Sequence, residues 1–223
     1  NFLNAFYTGR FKGSFARGLP FQENPKTGDC RISGTCASLA GLEKALKEET
    51  GVEVELAIRR ILLIHGVILT IGGIPLIYLN DEIGTLNDYD YRDNPAKAHD
   101  SRWSHRPFAD PKRYEMRNDP TTVEGRIYQG LRQLITLRQE HKAFSGNEMD
   151  VMDTGSNQVL GYSRTFDGQC TLVFANFSER EQTIPANLLR LYGPSYNFTN
   201  LLTDAVVPFG ELKLAPYEFV CLK

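Results

Sequence analysis

Two adjacent carboxylates, Asp81 and Glu82, follow directly on the apolar run Ile74-Pro75-Leu76-Ile77-Tyr78-Leu79, with Asn80 between. Paired carboxylates are the usual instruments of acid–base chemistry. Neighbouring side chains at a strand end point to opposite sides, however. Asp81 and Glu82 therefore cannot converge as an acid and a nucleophile, and they are expected to bond the backbone and side chains of the loop that follows. The aspartates Asp81, Asp88, Asp90, Asp93 and Asp100 raise calcium as an alternative. Their spacing lacks the glycine and terminal glutamate of an EF-hand loop, so a solvated acidic loop is expected. His65, His99, His105 and His141 stand at no metal-ligand spacing. Cys30, Cys36, Cys170 and Cys221 form no C-x-x-C pair. No metal and no cofactor are expected, and the cysteines read as the reduced thiols of a cytoplasmic protein.

The elements that must position these residues follow from period and punctuation. Val54, Leu56, Ile61, Leu62, Ile64, Ile68 and Leu69 predict a helix over 52–70, apolar nearly all round its second half and hence buried there. Gly72-Gly73 ends it. The run 74–79 then reads as a buried strand, from its length and its glycine flank. A helix feeding a buried strand that ends in polar residues is the pattern of a β/α barrel, whose ligands bind at the strands' C-terminal ends. Residues 80–119 read as a long polar loop. Thr121 and Glu124 offer a capping box for a helix running to about His141. Residues 1–50 are glycine- and proline-punctuated and read as loop-rich; so long a loop is usually functional.

After Phe144 the pattern changes. Residues 159–164 and 170–176 flank Asp167-Gly168 and predict a hairpin. Residues 182–184, 211–214 and 217–222 are further short strands, and no helical period appears among them. The fold class is therefore α/β plus all-β. It is the C-terminal part of a (β/α)8 barrel, its last β/α units, followed by a small antiparallel β-sandwich domain. One strand and two helices cannot close a barrel that needs eight strands.

Composition excludes several classes. The 223 residues are 41% hydrophobic and 23% charged, with a net charge of −2. Lys and Arg are dispersed, so neither nucleic acid nor an anionic membrane is expected as partner. The longest apolar run, 61–71, is interrupted by His65, Gly66 and Thr70 and is too short to span a bilayer.

Specific motifs narrow the reading. Phe11-Lys12-Gly13-Ser14-Phe15-Ala16-Arg17-Gly18, Pro20-Phe21-Gln22, Asn24-Pro25 and Thr27-Gly28-Asp29-Cys30-Arg31 resemble the amylosucrases, a branch of the α-amylase superfamily. So do Gly72-Gly73-Ile74-Pro75-Leu76-Ile77-Tyr78-Leu79, Asp81-Glu82-Ile83-Gly84-Thr85-Leu86-Asn87-Asp88, Asp100-Ser101-Arg102-Trp103, Arg117-Asn118-Asp119-Pro120 and Ile127-Tyr128-Gln129-Gly130-Leu131-Arg132. Where the family has Gly before the Asp-Glu pair, this chain has Asn80. Asn tolerates left-handed backbone better than most residues, so the turn is expected to hold.

The resemblance implies a retaining glucosyltransferase that uses sucrose, releases fructose and makes α-glucan or sucrose isomers. Such chemistry needs a nucleophile and an acid/base about 5–5.5 Å apart. In the family these carboxylates lie on strands preceding the matched segment, so no catalytic residue is assigned here and the chain alone is expected to be inactive. The resemblance makes Arg102 a floor of the glucosyl pocket, paired with an acidic residue from an earlier part of the chain. It places Arg31 and Gln22 against the acceptor sugar. Trp103, Tyr89 and Tyr91 read equally as sugar platforms or loop core.

Residues 1–50 are then an inserted subdomain after the seventh barrel strand, 51–146 the last helices and strand of the barrel, and 147–223 the C-terminal β domain. The partners implied are sucrose, α-glucan or maltooligosaccharide acceptors and the N-terminal remainder of the barrel, or an oligomer formed through exposed barrel surfaces. A sucrose hydrolase or phosphorylase is the alternative within the superfamily. A non-catalytic carbohydrate-binding or assembly module is the alternative outside it.

Overall fold

The computed structural model describes residues 2–193 and 197–223. They divide into two compact units, one made of the residues through Ile61 with Tyr78–Tyr128, the other of Leu62–Ile77 with Gln129–Lys223.

In the first unit, helix α1 (Phe2–Tyr7) leads into an antiparallel ribbon of β1 (Leu19–Phe21) and β2 (Arg31–Ser33), with Phe21 opposite Arg31. Helices α2 (Cys36–Leu39) and α3 (Leu42–Glu48) follow. The loop-rich reading of 1–50 is corrected to that extent: helices this short show no readable period. Thr35 caps α2, its Oγ1 accepting from Ser38 N at 3.1 Å. Asn87 then ties the distant polar loop to this cap, accepting from Thr35 N at 2.8 Å and donating its own N–H to Ser38 Oγ at 2.9 Å. Helix α4 (Gly51–Thr70) matches the expected 52–70, and its first residues belong here. Arg60, buried on it, stacks its guanidinium 4.0 Å over the Phe15 ring.

Residues 81–118 are organised by short 3-10 turns at Asp81–Ile83, Asp90–Asp93, Ser101–His105 and Met116–Asn118, and by helix α5 (Pro111–Glu115). Helix α6 (Val123–Glu140) begins in this unit, and its cap differs from the expected one. Thr122, not Thr121, caps it, accepting from Gly125 N at 3.0 Å. Asp119 takes the Thr121 hydroxyl at 2.7 Å, and Glu124 pairs with Arg113 at 2.9 Å instead of reaching back. Asp119 organises the turn itself, accepting from both the backbone N–H and the hydroxyl of Thr121, and so the cap falls one residue later.

The second unit holds the ends of α4 and α6 and the β domain. Strands β3 (Glu148–Met152), β4 (Val159–Phe166) and β5 (Gln169–Asn176) form a meander. Asp167 and Gly168, both at positive φ, make the predicted tight turn. Then come β6 (Gln182–Ile184), α7 (Ala186–Tyr192), β7 (Phe198–Thr199), β8 (Val206–Val207), β9 (Leu212–Leu214) and β10 (Phe219–Leu222). The main sheet runs β10-β5-β4-β3, with β6-β9 and β7-β8 as two small pairs. One face of the sheet joins a core that includes Leu172, Phe174, Ile184, Leu189, Phe198, Leu214, Val220 and Leu222. Helix α7 corrects the expectation of no helix here; a seven-residue helix burying one side chain, Leu189, leaves no periodic trace.

The expected strand at 74–79 is absent. The segment is extended but unpaired among the described residues, and Ile74 is 99% and Leu76 78% exposed. A strand is defined by its ladder, and an apolar run by itself supplies no partner. No helix among the described residues is long and apolar enough to cross a membrane.

Candidate sugar-binding site

Phe21 links the three residues: Arg102 lies over its ring, Arg31 pairs with it across the ribbon and Gln22 follows it in sequence. Phe21 and Arg31 are directly opposite in the β1–β2 ribbon, which puts their side chains on the same face. Gln22 follows Phe21 at φ 53°, a left-handed turn that ends the strand and leaves the residue exposed. Arg102 arrives from the 3-10 turn Ser101–His105, and its guanidinium carbon lies 4.5 Å from the Phe21 ring centroid.

Three bonds fix that turn. Ser101 Oγ donates to the Pro20 carbonyl at 2.8 Å, and Asp88 N donates to the Ser104 carbonyl at 2.8 Å. Asp100 caps the turn, accepting from Arg102 N at 3.0 Å. Its carboxylate also takes the Arg102 fork, with Nε at 2.9 and 3.1 Å and Nη2 at 2.7 Å. These hydrogen bonds hold the Asp100 carboxyl well below the usual range, at about 2, and raise the Arg102 guanidinium in turn. Arg102 thus has an acidic partner two residues away in its own turn, and its side chain remains 47% exposed.

Beside this cluster, in the same unit, lies a cleft of about 230 Å³ lined by Ile32, Thr35, Cys36, Tyr78, Asp81 and His105. Its side chains come from β2, the α2 cap and helix, the end of the extended segment and the Arg102 turn. Asp81 and Glu82 part company as their adjacency requires. Asp81 lines the cleft, where its charge, after burial itself, helps push the Cys36 thiol up to about 12. Glu82 turns away and accepts from Tyr114 Oη. Tyr114 is raised to about 12 by burial and by that bond. Arg113 Nη2 reaches the Ile83 and Gly84 carbonyls at 3.2 and 3.3 Å, so α5 clasps the turn from outside. Asn80 sits at φ 77°, the left-handed conformation expected of it, and donates to the Pro107 carbonyl at 3.2 Å.

His105 was not singled out by its sequence surroundings. Its ring stands 6.0 Å from that of Tyr78, and its Nδ1 is buried without a hydrogen-bond partner among the described residues. Burial, then the nearby Arg106 charge, lowers its proton affinity. The signal was its place three residues beyond Arg102. Of the three aromatics read either way, Tyr89 bonds the buried Glu43 at 2.9 Å and Tyr91 is buried. Trp103 carries Lys97 Nζ at 4.3 Å.

A planar guanidinium held along one edge by a carboxylate and stacked on an aromatic ring, with a second arginine on the same ribbon face, is a surface suited to polyhydroxylated ligands. The ring offers an apolar surface, and Nη1 of Arg102 and the Arg31 guanidinium offer donors to hydroxyls.

No family model matches the chain. In sequence it is similar to glucosylglycerate phosphorylase of Escherichia coli (strain K12), 26% identical over 171 residues, which cover 74% of this chain and 28% of the relative. In structure it is similar to AmyP in complex with maltotriose, with a TM-score of 0.60, 18% identity and coverage of 82% of this chain and 37% of the other. It is also similar to trehalulose synthase MutB from Pseudomonas mesoacidophila MX-45, with a TM-score of 0.54 and 21% identity over 74% of this chain and 38% of the other. The chain thus spans well under half the length of these proteins. What it shares with the two solved structures is their fold, the last β/α units of a (β/α)8 barrel followed by an antiparallel β domain.

Proposed function

We propose that this chain supplies the sugar-binding rim and C-terminal β domain of a retaining glucosyltransferase. Its donor would be sucrose and its acceptor an α-glucan or maltooligosaccharide. The observation that carries the reading is that Arg102 stacks on Phe21, the residue paired with Arg31 across the ribbon and followed by Gln22. Arg102 would face the glucosyl unit of the donor, and Arg31 and Gln22 the acceptor. In this reading residues 1–50 are an insertion after the seventh strand, 51–146 complete the barrel and 147–223 are the β domain. The nucleophile and acid/base would come from the N-terminal remainder of the same barrel, so this chain by itself would not turn over substrate. The exposed extended run 74–79 supports that reading, since its side chains and backbone await neighbours.

A second reading is phosphorolysis, favoured by one relative, which is named a phosphorylase. The reactions differ only in what accepts the glucosyl group. The test is to incubate the full-length protein with sucrose, with and without inorganic phosphate, and to separate the products. Transfer predicts glucan or sucrose isomers with little free glucose. Predominantly glucose, or glucose 1-phosphate formed only with phosphate, would replace the transferase reading by hydrolysis or phosphorolysis.

A further inference from the structure

The Arg102 guanidinium is constrained from two directions at once. Along one edge, Nε and Nη2 are engaged by the Asp100 carboxylate in a forked arrangement. Across one face, the Phe21 ring lies at 4.5 Å. Neither constraint is free to drift. Asp100 is 14% exposed at its side chain and also caps the turn that carries Arg102. Phe21 is held in register by the ribbon and by the Ser101–Pro20 bond next to it. Among the described residues the remaining edge, Nη1, has no hydrogen-bond partner.

We propose that Asp100 and Phe21 are positioning residues for Arg102: together they fix the plane of its guanidinium and leave Nη1 as the edge that meets a sugar hydroxyl. This rests on the reading of Arg102 as a sugar contact. A side chain with four rotatable bonds loses much freedom when it orders on a ligand. Ordering it beforehand removes that cost from binding, which is the general advantage of preorganisation. The arrangement also explains why the fork matters more than the charge. Lysine has no planar edge to divide between a carboxylate and a ligand. Phe21 has a second consequence. Because it stands opposite Arg31, the ring that orients Arg102 is also the wall next to Arg31.

The test is a double-mutant cycle in the full-length enzyme. Initial rates are taken with sucrose, or with glucosylglycerate plus phosphate where sucrose is inert, and kcat and KM are separated. Asp100→Asn keeps a capping side chain but loses the ionised fork. It is expected to lower kcat/KM about tenfold, mostly through KM, and to cost less than about twofold in an Arg102→Lys background. Phe21→Leu is expected to behave in the same way. Circular dichroism and thermal midpoints taken alongside identify any variant that fails to fold, and the other variant then decides. Equal losses in the wild-type and Arg102→Lys backgrounds would overturn the positioning role while leaving the Arg102 reading intact. Full activity of Arg102→Lys would overturn the reading of Arg102 itself, and the proposal with it.

Discussion

Arg164 Nη1 donates to the Ile71 carbonyl at 2.8 Å, and the same guanidinium reaches the Gly146 carbonyl through Nη2. The side chain is 1% exposed, and burial lowers its proton affinity. Arg138 does similar work alongside, donating to the Leu69 carbonyl at 2.5 Å and to Gly73 at 2.9 Å. Two cations thus sit at the negative end of α4, where the last carbonyls lack helical partners. Arg164→Met should lower unfolding stability by about 3 kcal/mol, because two charge-assisted bonds go and the carbonyls stay buried. Arg164→Lys should recover less than half of it, since one ammonium cannot span both carbonyls. Urea denaturation of the two variants measures this; a Lys variant equal to wild type would refute the fork.

Gly72 stands at φ 127°, and a Cβ there would lie 2.9 Å from Arg164 Nη1. Gly73 is also at positive φ, but open space surrounds its missing Cβ. Gly72→Ala should therefore cost about 2 kcal/mol and Gly73→Ala about 1. The order of the two is the test, read from thermal midpoints, and equal costs would show that Arg164 yields freely.

The long elements were legible because they repeat. Helix α4, helix α6 and the β4–β5 hairpin each carry a period or a turn signature longer than the noise of single residues. Asn80 was legible for a different reason: its type suits the left-handed turn that it makes. The run 74–79 misled because an apolar segment of that length demands burial without naming a partner, and here it lies exposed. Thr121 misled because the capping box is a local rule that a neighbouring Asp119 overrode. At the site, the three residues could be named from motifs, but the pairing of Arg31 with Phe21 depends on ribbon register, which short strands do not announce. The Asp100 fork had no pattern to reveal it, and His105 had only its place three residues beyond Arg102.

Cys36 should be chemically quiet. Burial and Asp81 raise its thiol to about 12, so its thiolate fraction at pH 8 is about a thousandfold below that of an ordinary cysteine. Iodoacetamide followed by mass spectrometry should label the half-buried Cys36 far more slowly in the native protein than after denaturation. Native labelling as fast as that of the denatured chain would contradict the raised thiol.

The Asp100 carboxyl, held at about 2 against an ordinary value of 3.8, makes a definite pH prediction. Its folded form binds its proton less readily than the unfolded one, so its contribution is complete above about pH 4 and disappears as pH falls through 2. The difference in thermal midpoint between wild type and Asp100→Asn should therefore shrink between pH 5 and pH 2. A difference that stays constant over that range would mean the fork is not formed in solution.

The proposed contact of Arg102 with a sugar donor is tested most directly by kcat/KM of Arg102→Ala in the full-length protein, with its fold verified by circular dichroism. A lost charge-assisted contact on a buried glucosyl unit predicts a fall of about a hundredfold or more. A value within about twofold of wild type would contradict the account.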